Sequence, residues 1–120
     1  MEQFNPAKAI ETLKQNYVEL MAVGELIEAK SNQHTLAEAE LIDAENVARE
    51  EYFTRKPCKI SELRDWLKMK TAFEYARETK LKNELRSLKQ KLEILIEVNN
   101  NVKASYRIFE MDHKMSNQQD

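Results

Sequence analysis

The chain has 120 residues, a net charge of −2 and a charged fraction of 33%, which suits one small domain and supplies no bulk charge for indiscriminate binding to nucleic acid or membrane. Gly occurs once, Pro twice and Cys once, so tight turns are scarce and a disulfide within the chain is excluded. No segment approaches the roughly 20 apolar residues needed to cross a bilayer, which excludes a membrane-spanning helix.

The start, Met1-Glu2-Gln3-Phe4-Asn5-Pro6, lacks the basic and apolar regions of an export signal. With the lone Cys58, this leads us to expect a reducing, cytoplasmic setting. Cys58 lies among cations in Arg55-Lys56-Pro57-Cys58-Lys59. No base adjoins it in sequence, so it reads as a linker thiol.

Asn5-Pro6 predicts a helix start. The Asn side chain accepts from a free backbone N–H, and Pro at the first helical position gives up an N–H that had no partner. Ile10, Leu13, Tyr17, Leu20, Gly24 and Ile27 then recur at spacings of three and four, the seam of an amphipathic helix over 6–30. Gly24 on that seam invites close approach of another backbone. Ser31-Asn32-Gln33-His34 interrupts the apolar pattern, and Thr35-Leu36-Ala37-Glu38 has the form of a capping box. A second helix is therefore expected over 35–53, carrying Leu41, Ala44, Val47, Ala48 and Tyr52 on one side. So short a connection makes the two helices an antiparallel hairpin. A single unbroken helix is the alternative.

Pro57 disfavours helix at the residue before it, and Ser61 is placed to cap a new start. From there to Asp112 neither Gly nor Pro occurs, so a third helix is expected over 61–112, about 75 Å long at 1.5 Å per residue. Leu63, Trp66, Met69, Phe73 and Ala76 form its first stripe. Its second is the ladder Leu81, Leu85, Leu88, Leu92, Leu95, Asn99, Val102, Tyr106, Phe109, with strict four-three alternation. One Asn on such a seam is a device for fixing register and oligomeric state. The fold class that follows is all-α: a helical hairpin plus one long third helix, a coiled-coil-like bundle open to dimerisation. Two alternatives stay open for the ladder. It serves self-association or a partner, or the helix breaks near 99–101 and folds back. Residues 113–120 read as a frayed tail.

Charge is unevenly spread. Residues 1–53 hold four basic and eleven acidic side chains, whereas 54–120 hold fifteen basic and ten acidic. Lys68, Arg77, Lys80, Arg86 and Lys89 are candidate contacts for nucleic-acid backbone or an acidic partner.

Two carboxylate pairs, Glu25/Glu28 and Glu40/Asp43, stand at equal distances either side of His34 in the expected turn. A hairpin would set them opposite one another as ligands for Mg²⁺. The pattern resembles the ExxE…ExxD signature of all-α nucleoside triphosphate pyrophosphohydrolases of the MazG type, although the gap between the pairs is shorter here. That resemblance implies nucleotide hydrolysis with Mg²⁺ held by those acids. Arg107 to His113 is similar to the Arg-x(4–6)-His motif of HEPN ribonucleases, with apolar Ile108 after the Arg, and that likeness implies cleavage of an RNA backbone. His34 is expected in a turn and His113 near the tail, with no Cys or His at metal-ligand spacing, so no zinc site is expected.

The leading expectation is a protein without catalytic residues or a cofactor that binds another protein, itself, or both. Its docking seam is Leu81, Leu85, Leu88, Leu92, Leu95, Asn99, Val102 and Tyr106. Such a chain fits an adaptor, regulator or inhibitor, in the style of a phage protein acting on a host factor. Mg²⁺-dependent nucleotide hydrolysis and nucleic-acid binding are the alternatives.

Overall fold

The computed structural model describes residues 4–55 and 59–118, with side chains described as far as 115. The protein is all-α. Helix α1 runs Pro6–Thr54, a 3₁₀ turn covers Ile60–Glu62, α2 runs Leu63–Lys70 and α3 runs Ala72–Gln118. No strand occurs among the described residues, and no described helix is long and apolar enough to cross a membrane.

The expected helix start is present in detail. Asn5 Oδ1 accepts from the Lys8 N–H at 3.2 Å, and the Asn5 carbonyl accepts from the Ala9 N–H at 3.0 Å. The expected turn at 31–34 is not. Helix α1 is continuous through it for 49 residues. The Thr35 hydroxyl donates back to the Ser31 carbonyl at 3.0 Å, four residues earlier in the same helix, so it caps nothing. Nothing in Lys30–His34 breaks a helix outright, and Lys30 and His34 meet partners on α3. The segmentation into helices over 6–30 and 35–53 is thereby corrected, and the first hairpin connection lies after Thr54. Pro57 and Cys58 fall outside the described residues.

The long third helix expected over 61–112 is corrected at one point, an interruption at Thr71. Through 99–101, where a break was the alternative, it runs on unbroken. Thr71 has φ −111° and ψ 15°, off the helical values. The Thr71 hydroxyl and N–H both return to the Leu67 carbonyl at 2.7 and 2.9 Å, and the Tyr75 N–H still reaches the Thr71 carbonyl. This back-bonding accompanies a one-residue departure from helical geometry, at which α2 ends and α3 begins. Ser61 lies within the 3₁₀ turn and caps no helix. Residues 113–118, expected to fray, continue α3.

The chain divides into two compact units, Met1–Leu26 with Leu88–Asp120, and Ile27–Ser87. In the first unit the start of α1 lies against the end of α3. Phe4 meets the rings of Tyr106 and Phe109 at 6.2 and 5.2 Å, and Glu19 pairs with Lys91 at 3.4 Å. Ala9 and Val23 are its buried apolar side chains, at 7% and 2% exposed. The inward stripe of α1 here is Ala9, Leu13, Asn16, Leu20, Val23. The expected stripe shared Leu13 and Leu20 with it but took the neighbours Ile10, Tyr17 and Gly24, all of which face outward. A Cβ built on Gly24 meets nothing within 4 Å, so no backbone packs closely there.

In the second unit Ala37, Ala48, Tyr52, Leu81 and Leu85 are buried, each at 9% exposure or less. Small residues on α1 facing leucines on α3 give a close, narrow seam. Trp66 of α2 donates its indole N–H to the Ala48 carbonyl at 2.8 Å and sits 6.0 Å from the Tyr52 ring. Arg55 and Lys70 lie over the Trp66 ring at 4.0 and 4.7 Å. The bend at Thr71 separates α3 from α2, which carries Trp66 to the last turns of α1.

Candidate functional site

The ladder read from the sequence turns inward. Every member from Leu81 to Phe109 is buried or half-buried, and Asn99 is only 7% exposed. Asn99 Oδ1 accepts from Asn16 Nδ2 of α1 at 2.8 Å, so the one polar rung has its partner in the same chain. Leu81, Leu85, Leu88, Leu92, Leu95, Asn99, Val102 and Tyr106 are therefore committed to packing α3 on α1.

Three polar rungs cross the seam in the second unit. Lys30 Nζ meets Glu84 Oε2 at 2.6 Å, and this hydrogen bond holds the Glu84 carboxyl below the usual carboxylate range, with the positive charges of Lys30 and Lys80 adding to it. Arg77 meets Glu40 at 2.6 Å. Between these pairs His34 Nε2 faces Glu78 Oε1 at 2.9 Å and Glu38 Oε1 at 3.4 Å. His34 thus sits in a helix and not in a turn, and its neighbours lie four residues along α1 and 44 residues along the chain. The heptad spacing Lys30-His34-Ala37 continues across the polar stretch, but the acids that complete the rung lie far along the chain. Glu74 Oε2, on the same face of α3, is buried with no hydrogen-bond partner.

The carboxylates proposed for Mg²⁺ do not converge. Glu28 and Glu40 lie on one unbroken helix, twelve residues and about 18 Å apart along its axis, and Glu40 is engaged by Arg77. Glu25, Glu28 and Asp43 are exposed. Without the turn at 31–34, the Glu25/Glu28 and Glu40/Asp43 pairs have no way to face one another, and the MazG-like geometry is absent. Arg107 and His113 also stay apart. Six residues along a helix turn about 120° away from each other, both side chains are exposed, and the His113 ring stacks on Phe109 at 6.2 Å.

The basic candidates do not form one stripe. Arg77 is paired with Glu40. On α3, Lys80 and Arg86 point about 120° apart at 100° per residue, and Lys89 is exposed. Lys68 has a different setting. With Glu45, Ile60, Leu63, Arg64, Leu67, Thr71, Ala72 and Tyr75 it lines an open groove of about 730 Å³ within the second unit. Around the groove and the bend, large apolar side chains stand in solvent: Ile60 at 78%, Phe73 at 77%, Met69 at 63% and Tyr75 at 61% exposed. This outward apolar surface was not legible in the sequence, where Met69 and Phe73 shared one inward stripe with Trp66.

Compared with known proteins, the chain matches no family model, no curated protein and no solved structure.

Proposed function

We propose that this chain is a protein–protein interaction module, an adaptor, regulator or inhibitor, that docks its partner at the groove between Ile60 and Tyr75. The observation that carries this reading is the groove itself, lined by Ile60, Leu63, Leu67 and Tyr75, with Ile60 and Tyr75 left 78% and 61% exposed. Apolar side chains left in solvent beside a groove mark docking sites in soluble proteins, because leaving them in water forgoes about 25 cal/mol for each Å². Ile60, Leu63, Leu67 and Tyr75 supply an apolar floor. Arg64 and Lys68 stand on its rim and favour a partner whose apolar segment is bordered by acids, through faster and better oriented encounter. Action on a host factor by a phage-borne protein is one setting that such a module fits.

Affinity capture with the full chain, beside sedimentation over a range of concentrations, tests the reading. A partner, or a second copy of the chain, bound by the native protein and released at least tenfold more readily by Tyr75→Glu is the expected result. A chain that stays monomeric and recovers nothing, or a partner indifferent to Tyr75→Glu and Leu67→Glu, overturns it.

A further inference from the structure

We propose that His34, Glu38 and Glu78 form a binding site for one divalent first-row transition ion, with Zn²⁺ as the probe. The three donor atoms lie within 4.8 Å of one another. Around a four-coordinate ion with bonds of about 2.1 Å, neighbouring donors stand about 3.4 Å apart, and about 3.0 Å apart at a right angle. The His34 Nε2 distances of 2.9 Å to Glu78 and 3.4 Å to Glu38 already have those values. Two of the three donor separations thus match a coordination shell, and the two carboxylate oxygens, within 4.8 Å of each other, close on the ion when it binds.

Charge argues in the same direction. The cations of the two neighbouring rungs are committed elsewhere, Lys30 to Glu84 and Arg77 to Glu40, each at 2.6 Å. Two carboxylates are left facing a single imidazole nitrogen, which carries at most one proton to share between them. A divalent ion at that point satisfies both carboxylates and takes the nitrogen as a ligand. His34 and Glu78 are the sheltered members, with side chains 15% and 14% exposed, whereas Glu38 at 53% leaves a path for the ion and for water in the remaining positions. One nitrogen with two carboxylate oxygens suits Zn²⁺, Mn²⁺, Fe²⁺ or Co²⁺ better than Mg²⁺, which takes oxygen ligands and gives up its waters reluctantly. Bound there, the ion ties α1 to α3 at the one rung of the seam where two acids meet one base.

The test is titration of the full chain with ZnCl₂, followed by calorimetry and native mass spectrometry, with CoCl₂ absorption as a report on coordination. One ion per chain is expected, with binding weakened at least tenfold in His34→Gln and in Glu78→Gln. Cys58→Ser and His113→Gln keep the native affinity, and helicity by circular dichroism confirms that each variant is folded. Should Glu78→Gln lose helicity, the solvent-facing Glu38→Gln carries the same expectation. Absence of binding to the native chain overturns the proposal. So does an affinity unchanged by the His34 and Glu38 variants, or one lost with Cys58→Ser.

Discussion

Replacing Asn99 by Ala probes the buried polar rung of the first unit. Asn99 is 7% exposed and accepts the Asn16 amide at 2.8 Å. Losing that hydrogen bond costs about 1 kcal/mol, and the stranded, half-buried Asn16 amide costs about 1 kcal/mol more. The better helix propensity of Ala returns roughly 0.5 kcal/mol. The net is about 1.5 kcal/mol, or a fall of about 6 °C in Tm for a chain of this size. A double-mutant cycle with Asn16→Ala, followed by denaturant unfolding, isolates the pair, and a coupling of about 1 kcal/mol is expected. The double replacement Asn16→Leu/Asn99→Leu removes both polar groups together. It raises stability while weakening the control of register that a buried polar pair provides. Strict additivity of the two Ala variants, within about 0.3 kcal/mol, would refute the pairing and with it the register of α1 on α3.

Gly24→Ala stabilises by about 0.5–1 kcal/mol, because the added methyl meets open space in a helix interior, and thermal unfolding reads it. Glu74→Leu raises stability by about 1–2 kcal/mol in urea unfolding, since it removes a buried carboxylate oxygen that has no partner. Trp66→Phe costs about 1 kcal/mol through the lost bond to the Ala48 carbonyl, visible as a lower urea midpoint. The Glu84 carboxyl is held low by Lys30, so the stability it contributes is present above the usual carboxylate range and is lost as pH falls through its lowered value. The native chain and Lys30→Met should therefore differ in denaturant midpoint at neutral pH and converge in acid. A constant difference across that range contradicts the assignment.

The ladder from Leu81 to Phe109 was legible because four-three spacing over nine positions has one reading, and the Asn5-Pro6 start because its capping chemistry is local. The inward face of α1 was ambiguous. Leu13, Leu20 and Ile27 belong equally to a stripe through Ile10, Tyr17 and Gly24 and to one through Ala9, Asn16 and Val23. Size favours the first, whereas fit against leucines favours the second. The unbroken passage through Lys30 and His34 was hidden because the groups that complete those rungs, Glu84 and Glu78, lie 54 and 44 residues away. The same distance hid the convergence of His34 with two carboxylates. The bend at Thr71 carries neither Gly nor Pro, and a hydroxyl returning to the preceding turn leaves no distinctive pattern. Once α1 is continuous, the Mg²⁺ geometry fails for the same reason that the polar rungs succeed.

The ladder packs on α1 of its own chain, which leaves docking to the outward groove. Asn16→Cys with Asn99→Cys, in a Cys58→Ser background oxidised at low protein concentration, tests this directly. A cross-link within one chain, migrating as a monomer, is the predicted product. Covalent dimers as the main species at the lowest concentration would show that the ladder belongs to a second copy and contradict the account.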